Sequence, residues 1–171
     1  TAPKTVEIVE LPEPRLDRAD QVLLQIDRVG VCGSDIHYYV DGGLGGRMLS
    51  YPATIGHECA GTVLETWAAV QNVQPGDRVA VDPAMVCGTC DQCRLGRTNT
   101  CRNLRFMGCP DEAPGAVAEF RVVPAQNCYR IPSTMALDEA ALIEPLSVGL
   151  HAVRRGNLQE AARIAIIGSG P

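Results

Sequence analysis

Cys87, Cys90, Cys93 and Cys101 form the run C-G-T-C-D-Q-C-R-L-G-R-T-N-T-C. Three cysteines at intervals of three, and a fourth eight positions on, let one short lobe present four thiolates to one ion. A closed tetrahedral zinc site with sulfur ligands has this composition, and it serves to hold a lobe in shape. Other readings compete with zinc. A disulfide framework belongs to small, oxidised, secreted domains, whereas this chain of 171 residues opens without an apolar signal stretch. Thr1 stands where an initiator Met would, which leaves room for a processed or trimmed N-terminus. A ferredoxin-type iron–sulfur run also begins C-x2-C-x2-C, but its fourth cysteine follows after three residues and precedes a proline. Here the gap is seven residues, and Cys109-Pro110 comes eight positions after Cys101. Redox or packing thiols are the remaining alternative. Cys59, Cys109 and Cys128 have no ligand spacing and are expected to be buried small hydrophobes.

A second set mixes donor types: Cys32, His57-Glu58 and Glu144. Sulfur, nitrogen and oxygen together can leave a coordination position for water or substrate, as a catalytic zinc needs. Cys32 and His57 stand 25 residues apart, so only the fold can join them. Glu144 is a further candidate, as a direct ligand or through a bound water. Taken alone, a His-Glu pair and a turn cysteine are common and carry little weight.

The elements that must position these residues are mostly short strands. Residues 6–10 alternate apolar and polar and read as a half-buried strand that stops at Pro12 and Pro14. Residues 21–26 are a second strand, and the break at Gly30 and Gly33 leaves Cys32 on a turn entering a short helix. Residues 38–46 hold four glycines and read as a loop. Strands are expected at 60–64, 78–81, 116–123 and 127–131, with a turn at 73–77. Beyond Ser133 the pattern changes. Ser133 or Thr134 can cap a helix running to Ile143, and Pro145 fits the first turn of a second helix, from Leu146 to about Arg155. Residues 163–167 read as a buried-type strand, followed by Gly168-Ser169-Gly170-Pro171. A strand followed by G-x-G opens a dinucleotide-binding unit, with Gly168 and Gly170 as its first glycines. On that reading the chain is a fragment.

Composition narrows the class. Hydrophobic residues make up 46% and aromatics only 4%, with 17 Gly and 12 Pro, which favours strands and turns over a helical bundle. No apolar run is long enough to span a membrane. A formal net charge of −5 argues against a nucleic-acid surface. Eight cysteines without a secretory signal point to a reducing compartment such as the cytoplasm.

The segments G-V-C-G-S-D-I-H-Y-Y, I-G-H-E, the four-cysteine lobe and A-L-I-E-P-L-S-V-G-L-H-A-V-R-R-G closely resemble the zinc-dependent medium-chain alcohol dehydrogenases. Within them, the chain is most similar to the polyol branch of sorbitol (L-iditol) dehydrogenases, over about residues 6–171. The resemblance implies a mainly β, GroES-like catalytic domain with a few short helices over residues 1–145. A linking helix and the start of a truncated NAD-binding Rossmann domain would follow over 146–171.

The implied activity is oxidation of a secondary hydroxyl of a small polyol to a ketone, with hydride passing to NAD. Two zinc ions per chain, one catalytic and one structural, and a homotetramer come with the resemblance. By this analogy Cys32, His57 and Glu58 hold the catalytic metal with Glu144 beside it, and Cys87, Cys90, Cys93 and Cys101 hold the structural one. A Lewis acid on the hydroxyl oxygen makes its proton easier to lose, so a relay to solvent is needed. Ser34 is the nearest hydroxyl in sequence to Cys32, and His37 is its outer partner. Tyr38 and Phe106 match positions that line the substrate pocket, although each could equally be a packing aromatic. A carboxylate at the Glu144 position is typical of polyol and threonine dehydrogenases, where simple alcohol dehydrogenases usually have cysteine. The four-cysteine lobe is absent from animal sorbitol dehydrogenases, so the resemblance is to microbial or fungal enzymes or a neighbouring branch. An L-threonine dehydrogenase and a non-catalytic zinc-binding module are the competing readings.

Overall fold

The computed structural model describes residues 3–159 and 162–168. Its centre is a five-stranded antiparallel sheet in the order β8-β1-β4-β5-β9. The strands are β1 (Gln21–Gly30), β4 (Glu58–Thr66), β5 (Arg78–Val81), β8 (Phe120–Pro124) and β9 (Cys128–Arg130). Two small hairpins stand outside it, β2 (Gly43–Leu44) with β3 (Arg47–Met48) and β6 (Ala84–Met85) with β7 (Arg105–Phe106). The helices are α1 (Gly33–Asp41), α2 (Asp91–Arg94), α3 (Leu137–Ala141) and α4 (Ile143–Arg155).

Chain connectivity forces the sheet to curl. β8 and β9 lie at opposite edges, yet only the short 3-10 turn Ala125–Asn127 joins them. Laid flat, five strands would put the edges about 19 Å apart. The connection from Pro124 to Cys128 can span at most about 14 Å. The rolled sheet encloses Val22, Leu24, Cys59, Val63, Val79, Val81, Val123 and Cys128 on its inner face. Its outer face is covered in part by α3, where Ala140 and Ala141 pack on Ala60. β4 is therefore buried on both sides, which explains its run of small residues.

Gly61 shows how close this packing is. It pairs with Ile26 beside an irregularity in the β1–β4 register. A Cβ there would lie 2.1 Å from the Gln25 carbonyl oxygen.

Several expected elements differ. Residues 6–10 are not a strand: Val6 is 79% exposed and Ile8 fully so. Alternation specifies which side chains share a face, but a strand also needs a backbone partner, and these residues have none among the described residues. Residues 38–46 are not simply a loop. α1 continues to Asp41, ends on left-handed Gly42 (φ 75°), and leads into the β2–β3 hairpin with Gly45 and Gly46 at its turn. The glycines mark a helix end and a hairpin turn. β8 begins at Phe120, later than expected, because residues 115–117 donate their backbone N–H groups to residues 54–56 instead. α3 starts later than expected too, where the Ala136 N–H donates to the Glu139 carboxylate at 2.8 Å and Ser133 and Thr134 play no part. α4 starts at Ile143, which puts Glu144 and Pro145 in its first turn. Residues 163–167 form no ladder, and Ile166 and Ile167 are 85% and 99% exposed. A buried parallel strand needs neighbours on both sides, and the described residues supply none. Cys59 and Cys128 are buried as expected, whereas Cys109 is only half-buried.

Replacing Gly61 by alanine should lower stability by about 1–3 kcal/mol, read as a lower urea midpoint. An unchanged midpoint would mean that the β1 backbone yields freely at Gln25.

Candidate metal centres

The four-cysteine lobe hangs between β6 and β7. Cys87 leaves β6, Cys90 caps α2, Cys93 lies inside it and Cys101 follows a 3-10 turn. The four Sγ atoms all lie within 4.8 Å of one another, and Cys87 and Cys101 are 3.5 Å apart. A zinc–sulfur bond length near 2.3 Å implies sulfur–sulfur edges of about 3.8 Å, so the cluster has the size of a tetrahedral site. The Cys87 N–H donates to Cys101 Sγ at 3.4 Å. Thr89 Oγ1 and Asn103 Nδ2 each donate to Cys87 Sγ at 3.7 Å.

Backbone donors from Thr89 and Cys90, with the Thr89 hydroxyl, draw the Cys87 thiol down to about 5. The backbone of Arg102 and Cys93 lowers Cys90. Cys93, desolvated and hydrogen-bonded by its cysteine neighbours, is pushed up to about 12. Four thiolates at this spacing repel one another, and a cation among them removes that repulsion. Arg102 braces the lobe by a two-pronged pair with Asp91, at 2.5 and 2.8 Å. That contact holds the Asp91 carboxyl down at about 2.

The second cluster forms where β1 and β4 meet. Gly30 is paired with Glu58 across the two strands, Cys32 caps α1, and His57 immediately precedes β4. One ligand atom from each of Cys32, His57 and Glu58 lies within 4.8 Å of the others. His57 and Glu58 are buried. A Cβ on Gly30 would sit 2.3 Å from Glu58 Oε2, so a larger residue there would displace the Glu58 carboxylate. The Phe106 ring meets the His57 ring edge-on, with centroids 5.3 Å apart.

Asp35, which the reading of spacing passed over, organises this cluster. It is 3% exposed. Its Oδ2 accepts the Cys32 N–H at 3.0 Å, and its Oδ1 accepts the Gly56 N–H at 3.1 Å. His57 Nδ1 lies 4.0 Å from the same Oδ1. One carboxylate thus ties the residue before His57 to the backbone of Cys32. The signal was present: an acidic residue three positions after a helix cap is the return half of a capping box.

The other expected residues are dispersed around this core. Glu144 is half-buried and is not among the three groups within mutual ligand distance. Burial raises its pKa, His57 opposes that, and Glu58 and Asp82 add to it, so its carboxylate lies within electrostatic reach of the cluster. Ser34 is half-buried in the first turn of α1. His37 is exposed, with Nδ1 2.9 Å from Asp41 Oδ2. Tyr38 is 4% exposed; its hydroxyl contacts Cys109 Sγ at 3.6 Å, and burial raises its phenol pKa. Gly168 is exposed at φ 101°, and Gly170 lies outside the described residues.

Both donor sets fit zinc. Four sulfurs make a closed site, and a sulfur, a nitrogen and an oxygen leave a position free. Truncating Asp35 to alanine leaves two backbone N–H groups without acceptors and should lower stability by about 2–5 kcal/mol. Asp35→Asn keeps one acceptor oxygen and should lose less. Equal urea midpoints for Asp35→Ala and the wild type would show that the carboxylate bears no such load.

Comparison with known proteins places these features. The family model of the alcohol dehydrogenase GroES-like domain matches residues 18–133. The sorbitol dehydrogenase of Bacillus subtilis (strain 168) is 40% identical over 168 residues, covering 98% of this chain and 47% of that protein. The L-idonate 5-dehydrogenase of Vitis vinifera is likewise 40% identical over 168 residues, covering 98% and 45%. The crystal structure of galactitol-1-phosphate dehydrogenase from Escherichia coli superposes with a TM-score of 0.83 at 33% identity, covering 91% of this chain and 43% of that one. The chain spans about half the length of the curated relatives it matches. The matched stretch takes in all nine strands of the described residues and every ligand candidate except Glu144, and the chain belongs to the alcohol dehydrogenase GroES-like domain family, the zinc-dependent medium-chain dehydrogenases.

Proposed function

We propose that this chain is the metal-binding half of an NAD-dependent polyol dehydrogenase, which oxidises a secondary hydroxyl of a sorbitol- or xylitol-type substrate to a ketone. The observation that carries the reading is the convergence of Cys32, His57 and Glu58 within 4.8 Å, with the Glu144 carboxylate in reach. Residues 1–145 would form the catalytic domain, and residues 146–171 would lead into a nucleotide-binding domain that uses Gly168 and Gly170. The relatives matched, sorbitol and L-idonate dehydrogenases, act on polyhydroxylated substrates by name.

Cys32, His57 and Glu58 would hold zinc, which when bound would supply Lewis-acid polarisation of the reacting hydroxyl. Glu144 would complete the donor set, directly or through a water. The chain's own residues then manage the proton. Ser34, in the first turn of α1 two residues from Cys32, accepts it. His37, one turn further along the same helix and exposed, delivers it to solvent. Asp41 holds His37 through Nδ1, which leaves Nε2 free of that contact. Phe106 packs on His57 and walls the substrate side, and Tyr38 backs the pocket. The four-cysteine lobe would hold the second zinc ion and keep β6 and β7 together.

No described helix is long and apolar enough to cross a membrane, and the eight cysteines are unpaired. By the family resemblance, the full-length protein would be a homotetramer of the reducing cytoplasm.

The full-length protein should carry two zinc ions, one lost in Cys93→Ser and the other in Cys32→Ser. Retention of both ions in Cys32→Ser would overturn the catalytic-site assignment. NADH formation should proceed with sorbitol or xylitol, and Ser34→Ala should reduce kcat by about 10²–10⁴-fold. Turnover of L-threonine alone would move the enzyme to the threonine dehydrogenase branch, which shares carboxylates at Glu58 and Glu144.

A further inference from the structure

Arg121 occupies an unusual place. It lies on β8 opposite Leu24 of β1, and Leu24 is in turn opposite Val63 of β4. Residues directly opposite on neighbouring strands share a face of the sheet. Leu24 and Val63 are core residues, 0% and 1% exposed, so Arg121 projects from the inner face of the rolled sheet. Its Nη2 is buried with no hydrogen-bond partner. No ion pair involves it among the described residues, and its one titratable neighbour is the Cys59 thiol, which burial pushes up to about 12 and so keeps neutral. A desolvated guanidinium without a carboxylate weakens a core, and an aliphatic side chain of similar volume would pack there at less expense.

The one acceptor Arg121 finds explains what it can do. Its Nε donates to the Gly115 carbonyl. Gly115 belongs to a segment laid directly on the residues that lead into His57. The Gly115 N–H donates to Thr54 O at 2.7 Å, the Ala116 N–H to Gly56 O at 2.8 Å and the Val117 N–H to Ile55 O at 3.0 Å. The contact has no slack. A Cβ on Gly115 would lie 2.1 Å from the Ile55 backbone, and one on Gly56 would lie 2.8 Å from Val117 Cγ2. A shift of residues 115–117 therefore moves residues 54–56 with them. Residue 56 is also where Asp35 grips the backbone.

We propose that Arg121 is a positioning residue for His57, its guanidinium holding residues 115–117 from inside the sheet so that they fix residues 54–56 and the ligand that follows. This rests on the reading that Cys32, His57 and Glu58 hold a metal. Asp35 fixes the same strap from the α1 side, so His57 is held by two groups acting from opposite directions.

The test uses the full-length protein with Arg121→Met, which removes the donor and the charge at similar volume, and Arg121→Lys, which keeps one donor. Chelator competition reads affinity at each metal site, and the visible absorption of Co2+-loaded protein reads the geometry of the mixed site. For Arg121→Met, affinity at the mixed site should fall about tenfold and its Co2+ spectrum should change. The four-cysteine site and Tm should be unaffected, or Tm should rise, because a buried charge has gone. Arg121→Lys should recover part of the affinity. Wild-type affinity and an unchanged Co2+ spectrum in Arg121→Met would overturn the proposal. So would a fall in Tm with equal loss at both metal sites, the mark of a purely structural role. Wild-type protein that binds no metal at the mixed site would overturn the functional reading and this inference with it, an outcome visible before any variant is measured.

Discussion

The Asp35 carboxylate is the joint between the two halves of the mixed cluster. Cys32 arrives on the end of β1 and His57 on the segment before β4, from stretches of chain that have no local reason to meet. Each oxygen of Asp35 takes one backbone N–H, from Cys32 and from Gly56. Buried hydrogen bonds to a charged acceptor are among the stronger ones available to a protein. Their directionality sets the separation of the two segments where apolar packing alone would allow sliding. The same carboxylate faces His57 Nδ1 at 4.0 Å.

Around that joint the rolled sheet supplies rigidity. Its inner face is apolar and closely filled, and its outer face is pinned by α3 through three alanines. β4 lies under both layers, and β4 begins with Glu58. A side chain on a strand packed on both faces has little room to drift, and Gly30 opposite leaves the space that the Glu58 carboxylate occupies. Arg121 brings an uncompensated charge into this otherwise apolar interior. That choice is intelligible if holding the segment before His57 matters more than the last increment of core stability.

The four-cysteine lobe is built on a different principle. All four of its cysteines come from one stretch of fifteen residues, held by local backbone turns and by donors aimed at sulfur. Backbone and side-chain donors draw the Cys87 thiol down, and desolvation pushes the Cys93 thiol up. That cluster is assembled by local turns, whereas the mixed cluster draws its residues from separate elements and takes its shape from the fold. A site that must keep one position free gains from that preorganisation.

The cysteine spacing alone determined the lobe, because its ligands lie close enough in sequence that few conformations can part them. Turn and strand chemistry determined most of the sheet, including β5 and the placing of Cys32 on a turn before a helix. Residues 6–10 and 163–167 show the limit of that reasoning, since alternation and apolarity describe a face but cannot supply a backbone partner. Only the tertiary structure decided that Asp35 joins Cys32 to Gly56, that Arg121 faces inward, and that Glu144 stands just outside the mutual ligand distance of Cys32, His57 and Glu58. Asp35 and Gly56 are 21 positions apart and Arg121 and Leu24 are 97 apart, brought together by strand pairing and by the curl of the sheet. No local propensity carries that information; it exists once the strands have chosen their neighbours.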